Sequence, residues 1–243
     1  MKRKRNRILL IALLVLLALC VAAGVYFGTC SPAGPAAQAA LVSGNGVHVE
    51  AAPYGYLFDG PGSSDAFVFY PGARVEYTAY APLLRALAEQ GIDCFLVKMP
   101  LNMAFTDMDE CAHIQDVYEN DYERWYVGGH SLGGACAALY AAKCPDRLSG
   151  LILLAAYATK PLSEDLAVLE LHGSEDAVLN RKKLEEGRRY LPASALSEEL
   201  PGGNHAQFGD YGLQRGDGAA EVSRADQTAW AADRIEQLIF GQH

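Results

Sequence analysis

Three residues of suitable types, in a suitable order, carry the chemistry open to this chain. Ser131 lies in Gly129-His130-Ser131-Leu132-Gly133, between an apolar run that begins at Trp125 and a small-residue stretch from Gly134 to Ala138. This reads as strand, sharp turn and helix, the setting in which a G-x-S-x-G pentapeptide lifts a serine hydroxyl to a strained apex. A serine hydroxyl is too weakly acidic to attack unaided and needs an imidazole to take its proton. A carboxylate must then hold that imidazole in the useful tautomer and stabilise its charged form. Asp176, ending His172-Gly173-Ser174-Glu175-Asp176, and His205, ending Pro201-Gly202-Gly203-Asn204-His205, offer both groups after strand-like runs.

Each has neighbours of the same type. Glu175 is adjacent to Asp176, and Asp210 or Asp217 could reach the imidazole from another loop. His130 sits inside the elbow and should point away from the base position. His172 reads as a buried, hydrogen-bonded ring at a strand end and His113 as a solvated residue on a surface helix, while His48 and His243 fall near the ends.

The elements that must position these groups alternate regularly. Short strand-like runs at Val47–Ala51 and Tyr56–Phe58 precede a continuous apolar run at Ala66–Tyr70, typical of a strand covered on both faces. A helix follows over Glu76–Gln90, with Tyr80, Leu83, Leu84, Leu87 and Ala88 on one face and Gly91 as its stop. Further strands are expected at Ile92–Lys98, Leu148–Ala156, Leu166–His172 and Ala195–Leu200. The helices between and after them are expected near Asp109–Glu123, from the elbow to Cys144, at Asn180–Tyr190 and at Arg224–Phe240. Strands alternating with helices imply a doubly wound, mostly parallel sheet with helices on both faces. In such a sheet reactive groups gather at the carboxyl ends of strands, where Ser131, Asp176 and His205 all fall.

The combination of Tyr70-Pro71-Gly72-Ala73-Arg74-Val75, the elbow, the His172–Asp176 run and Gly203-Asn204-His205 resembles the α/β-hydrolase superfamily from about Val47 to Phe240. It looks most like the compact, lidless bacterial esterases related to dienelactone hydrolases. The resemblance implies a serine nucleophile at Ser131, a base at His205, an orienting acid at Asp176 and a small-molecule acyl substrate. A transition-state oxyanion needs two preorganised N–H donors. One is expected from Leu132; the other from Ala73, with Gly72 as the alternative, because Pro71-Gly72 replaces the usual His-Gly pair. Gly72, Arg74, Asn102 and Tyr157 are expected to meet substrate, although Arg74 could equally pair with Glu76. The short interval from Tyr157 to Asp165 leaves no room for a helical lid. Transfer of the acyl group to an acceptor other than water, or a non-catalytic binding role on the same fold, are the competing readings.

Five basic residues, Lys2, Arg3, Lys4, Arg5 and Arg7, precede an uncharged stretch from Ile8 to Phe27. Roughly 20 apolar residues suffice to cross a bilayer, more than a signal peptide's apolar region usually holds. Residues 1–30 therefore read as a cytoplasmic basic segment and transmembrane anchor, with the catalytic domain outside the cell; if the segment is cleaved, the domain is secreted. Residues 31–45, rich in Ala, Pro and Gly, read as a flexible tether, and 46–243 as the catalytic domain, expected to survive deletion of residues 1–40. The basic residues at the start are five of the 20 Lys and Arg, which leaves 15 against 29 Asp and Glu in the remainder; such acidity disfavours nucleic acid as a partner. The six cysteines lack C-x-x-C spacing, so neither zinc nor redox chemistry is expected; Cys94 and Cys136 read as small buried hydrophobes. No cofactor motif occurs.

Overall fold

The computed structural model describes residues 2–62 and 64–241; within the first helix, the side chains of residues 2, 3, 5, 8, 22, 23 and 25–27 lie outside that description. His243 lies outside it as well. The chain forms two compact units, residues 1–30 and 31–243.

The first unit is helix α1 (Lys2–Gly28). Its large apolar side chains from Leu9 to Val21 are 54–62% exposed, on all sides of the helix. The expected span from Ile8 to Phe27 includes several of the undescribed side chains. Among the described residues, no helix is long and apolar enough to cross a membrane.

The second unit is built on eight strands: β1 (His48–Ala52), β2 (Gly55–Asp59), β3 (Asp65–Tyr70), β4 (Asp93–Val97), β5 (Arg124–His130), β6 (Gly150–Leu154), β7 (Ala167–Gly173) and β8 (Leu196–Leu200). They form one sheet in the order β1-β2-β4-β3-β5-β6-β7-β8. β1, β2 and β4 pair antiparallel, and every pairing from β4 through β8 is parallel. The expected strands all form, with ends shifted by one to two residues. The continuous apolar character of β3, β4 and β6 follows from burial on both faces. In β6, Ile152 and Leu154 enter the layer under α3 (Ala81–Glu89) and α7 (Arg224–Phe240). Leu151 and Leu153 enter the opposite layer, under α4 (Glu110–Val117) and α5 (Leu132–Lys143). This is the period-two alternation of a strand working for two cores.

Two expectations fail for reasons of packing. Residues 31–45 are not a flexible tether: they carry α2 (Pro35–Ala40), with Ala37 and Ala40 buried. Ser31 pairs with Val75, the Gly34 amide donates to the Asp210 carbonyl at 2.6 Å, and the Ala37 amide donates to Asp210 Oδ2 at 3.0 Å. The domain thus begins at Ser31 rather than at residue 46, and the deletion of residues 1–40 would cut into it. The helix expected to reach Glu123 stops at Val117, where Tyr118 and Tyr122 turn into an aromatic cluster with Tyr54, Phe95 and Trp125. The remaining short helix, α6 (Arg181–Gly187), is capped by the Asn180 side chain, which accepts from the Lys183 amide at 3.0 Å.

Candidate active site

The elbow arises because β5 runs into α5 with one residue between them. That residue, Ser131, takes φ 54° and ψ −120°, a conformation a non-glycine residue holds only where its surroundings enforce it. Its amide donates to the Leu154 carbonyl at 2.9 Å, and its carbonyl accepts from the Ala135 amide at 3.0 Å. A Cβ at Gly133 would overlap the Tyr70 and Pro71 carbonyls, so α5 can pass under the end of β3 only with glycine there.

Across the site, His205 and Asp176 come from the loops after β8 and β7. His205 Nδ1 lies 2.8 Å from Asp176 Oδ2, and the two side chains are 2% and 0% exposed. Asp176 Oδ1 accepts the amides of Val178 and Leu179 at 2.9 and 2.8 Å. Burial pushes this carboxyl upward, but the hydrogen bond and charge of His205 and the two amides outweigh it and leave Asp176 below the usual aspartate range. An ionised, fully bonded carboxylate fixes the imidazole with a proton on Nδ1 and leaves Nε2 to accept. Nε2 is buried and has no hydrogen-bond partner among the described residues.

Ser131, Leu132 and His205 line one cleft of about 280 Å³, with Ala155, Tyr157 and Asn180 among its other walls. Residues 66–229 match the Alpha/beta hydrolase family. The chain belongs to the α/β-hydrolase family. Solved structures share its fold. Dienelactone hydrolase from Anabaena variabilis is 12% identical with a TM-score of 0.61, covering 81% of this chain and 98% of its own. A carboxylesterase from Bacillus subtilis is 12% identical at 0.57, covering 90% and 99%. Est1E from Butyrivibrio proteoclasticus is 15% identical at 0.57, covering 80% and 99%. No curated protein matches the sequence.

Within this α/β-hydrolase the competing acids are accounted for. Asp210 is drawn to Arg224 Nη1 at 2.8 Å and to the start of α2. Asp217 accepts the His205 and Ala206 amides at 3.3 and 2.8 Å and the Ala177 amide at 3.3 Å. It therefore staples the acid loop to the base loop, a role hidden in the sequence because its partners lie 11 to 40 residues away. Glu175 accepts from its neighbour Ser174 at 2.9 Å. His172 is buried with Nε2 at 3.3 Å from Glu199, while His113 is exposed and pairs with Glu110 at 3.0 Å. His130 does not point away from the base: its ring packs on the His205 ring with centroids 4.4 Å apart.

The amides of the loop after β3 differ in their bonds. Gly72 donates to Tyr80 Oη at 3.1 Å, and Arg74 donates to the Asn102 carbonyl at 2.9 Å. Among the described residues no such bond engages the Ala73 amide between them. Leu132 opens the first turn of α5, where backbone amides have no intrahelical acceptor. Of the residues expected to meet substrate, Tyr157 lines the cleft; Gly72, Arg74 and Asn102 are not among its walls. The Arg74–Asn102 bond instead ties two left-handed backbone positions together, at φ 56° and 52°. Residues 157–165 contain no helix. Asp107, Glu110 and His113 offer ligand atoms within 4.8 Å of one another, but none lines the cleft. Cys94, Cys111 and Cys136 are buried free thiols.

Proposed function

We propose that this chain is a serine hydrolase that cleaves a carboxylic ester or related acyl bond. Ser131 Oγ attacks the carbonyl carbon while His205 Nε2 takes its proton. The amides of Leu132 and Ala73 hold the oxyanion, each worth about 2.7–4 kcal/mol in enzymes of this type. His205 then protonates the departing alcohol, and water repeats the sequence to release the acid; Asp176 stays ionised throughout and holds the imidazole. The observation that carries this reading is the buried 2.8 Å His205–Asp176 pair sharing a cleft with a serine on a strained turn. The structural neighbours named as a carboxylesterase and a dienelactone hydrolase support the choice of acyl bond. At about 280 Å³ the cleft falls just below the range of small-molecule sites, about 300–1,000 Å³, and its walls carry no Asp, Glu, Lys or Arg, which favours small uncharged esters.

The exposed apolar surface of α1 behind its basic start supports a further part of the proposal: this helix holds the catalytic domain at the outer face of a cell membrane. Release of the protein from membranes by alkaline carbonate would contradict it. The activity itself is tested by turnover of a panel of aryl esters by the full chain and by Ser131→Ala. Turnover lost in the variant supports the assignment; equal turnover removes it.

A further inference from the structure

Tyr80 Oη is a single atom bonded to both the loop after β3 and the elbow. It accepts the Gly72 N–H at 3.1 Å from the loop that carries Ala73, and it lies 2.8 Å from His130 Nδ1 in the elbow. A phenol offers one donor. With the Gly72 proton on one lone pair, the phenol proton and the second lone pair remain, and one or the other binds His130 Nδ1 according to the tautomer of a neutral ring. The packing agrees with a neutral imidazole. His130 is 1% exposed, and burial, followed by the charge of His205, holds it far below the ordinary histidine range, with a weaker opposing pull from the His205 backbone. Tyr80 is fully buried. A Cβ at Gly72 would lie 2.6 Å from Tyr80 Oη and 2.8 Å from His130 Nδ1, so the loop seats directly on this pair. The His130 ring in turn lies against the His205 ring.

We propose that Tyr80 and His130 are positioning residues that set the oxyanion loop and the base as one unit. The inference rests on the reading of Ser131, His205 and Ala73 given above. The bond to Tyr80 anchors the Gly72 amide and so fixes the peptide plane that follows it, where the Ala73 amide must meet the developing oxyanion. The same phenol orients His130, whose ring is the wall against which His205 is held. Neither side chain touches the reacting atoms. Their effect is on geometry, and a misplacement of about 1 Å can cost roughly a hundredfold in rate.

The test compares Tyr80→Phe, His130→Asn and His130→Leu with the full chain, reading ester kinetics, fluorophosphonate labelling rate and thermal melting. Tyr80→Phe keeps the ring and its packing and removes the bridging oxygen. It should lower kcat by about 10- to 100-fold with little change in KM and a native melting transition. His130→Asn keeps an acceptor near the position of Nδ1 and should retain more activity than His130→Leu. The Tyr80→Phe/His130→Leu double variant should be no slower than the worse single one, as expected of residues acting together. An unchanged kcat in Tyr80→Phe, or multiplicative losses in the double variant, overturns the inference. Wild-type protein that fails to label at Ser131 would instead overturn the underlying catalytic reading.

Discussion

The cleft at Ser131 holds about 280 Å³, and a second hollow, between α3, α7 and the loop after His205, holds about 470 Å³. The larger one is walled by Ala36, Ala79, Leu83, Ala86, Phe208 and Ala229, with the Asp210–Arg224 pair at its edge. Its charged pair is closed on itself through Arg224 Nη1 and Asp210 Oδ1, and none of its walls sits at positive φ. The smaller one is lined by a serine forced to positive φ and an imidazole with an open nitrogen, and the Asp176 carboxylate, held ionised despite burial, is bonded to that imidazole. Size and apolarity thus mark where side chains are small. Strain and buried, directed polarity mark where the proposed chemistry sits.

The sharpest way to break this contrast is through the base. His205→Ala should lower kcat about ten-thousandfold or more, and Asp176→Asn, which keeps the shape but changes the tautomer, by roughly ten-thousandfold at most. Steady-state ester kinetics on folded protein measure both, and a loss under tenfold in either would remove the cleft's claim. A smaller effect concerns stability at the other hollow. Deleting residues 1–40 removes α2 and the Ala37 and Ala40 burial, while deleting 1–30 spares them. The longer deletion should lower Tm by roughly 4–8 °C relative to the shorter, corresponding to about 2 kcal/mol. Equal melting temperatures would restore the tether.

Acid should reveal the buried groups in two stages. Burial holds His130 and His172 below the ordinary histidine range. Below about pH 6.5 the unfolded chain therefore binds protons that the folded chain refuses, and stability falls as pH drops from there. Asp176 is depressed instead, so its contribution is present above about pH 4 and is lost as pH falls through its lowered folded value. Melting curves from pH 8 to pH 3 should show both declines, with Asp176→Asn removing part of the second. A flat profile down to pH 5 would contradict the buried neutral histidines. Least affected should be Ala229→Leu, which fills the larger hollow from the exposed side of α7. Ester kcat should stay within about twofold and stability within about 0.5 kcal/mol; a large fall in kcat would show that the hollow takes part in turnover.

Much of the fold was legible in the sequence because its signals are local. Most of the parallel strands are largely apolar runs, β8 with Ser197, Glu198 and Glu199 being the exception, and the elbow, the acid and the base each follow a strand at its carboxyl end. α7 could be read from Arg224 to Phe240 because Ser223 caps it and its apolar face repeats. α2 could not be read: Pro35 to Ala40 has a linker's composition, and its fold depends on Asp210, 173 residues from Ala37. Tyr80 looked like one apolar position on a helix, since its bond to His130 spans 50 residues. The substrate-facing roles assigned to Gly72, Arg74 and Asn102 missed the site's walls because the loop after β3 turns its amides inward, toward Tyr80 and Asn102. The Ala73 amide in that run has no such bond among the described residues, a difference that only the folded backbone displays.

The most direct test of the account is to expose the full chain to a fluorophosphonate and locate the adduct by mass spectrometry. A single adduct on Ser131, absent from Ser131→Ala and strongly slowed in His205→Ala, is the predicted result. A folded protein that stays unlabelled, or that labels at another residue, would contradict the claim that this strained serine is an activated nucleophile.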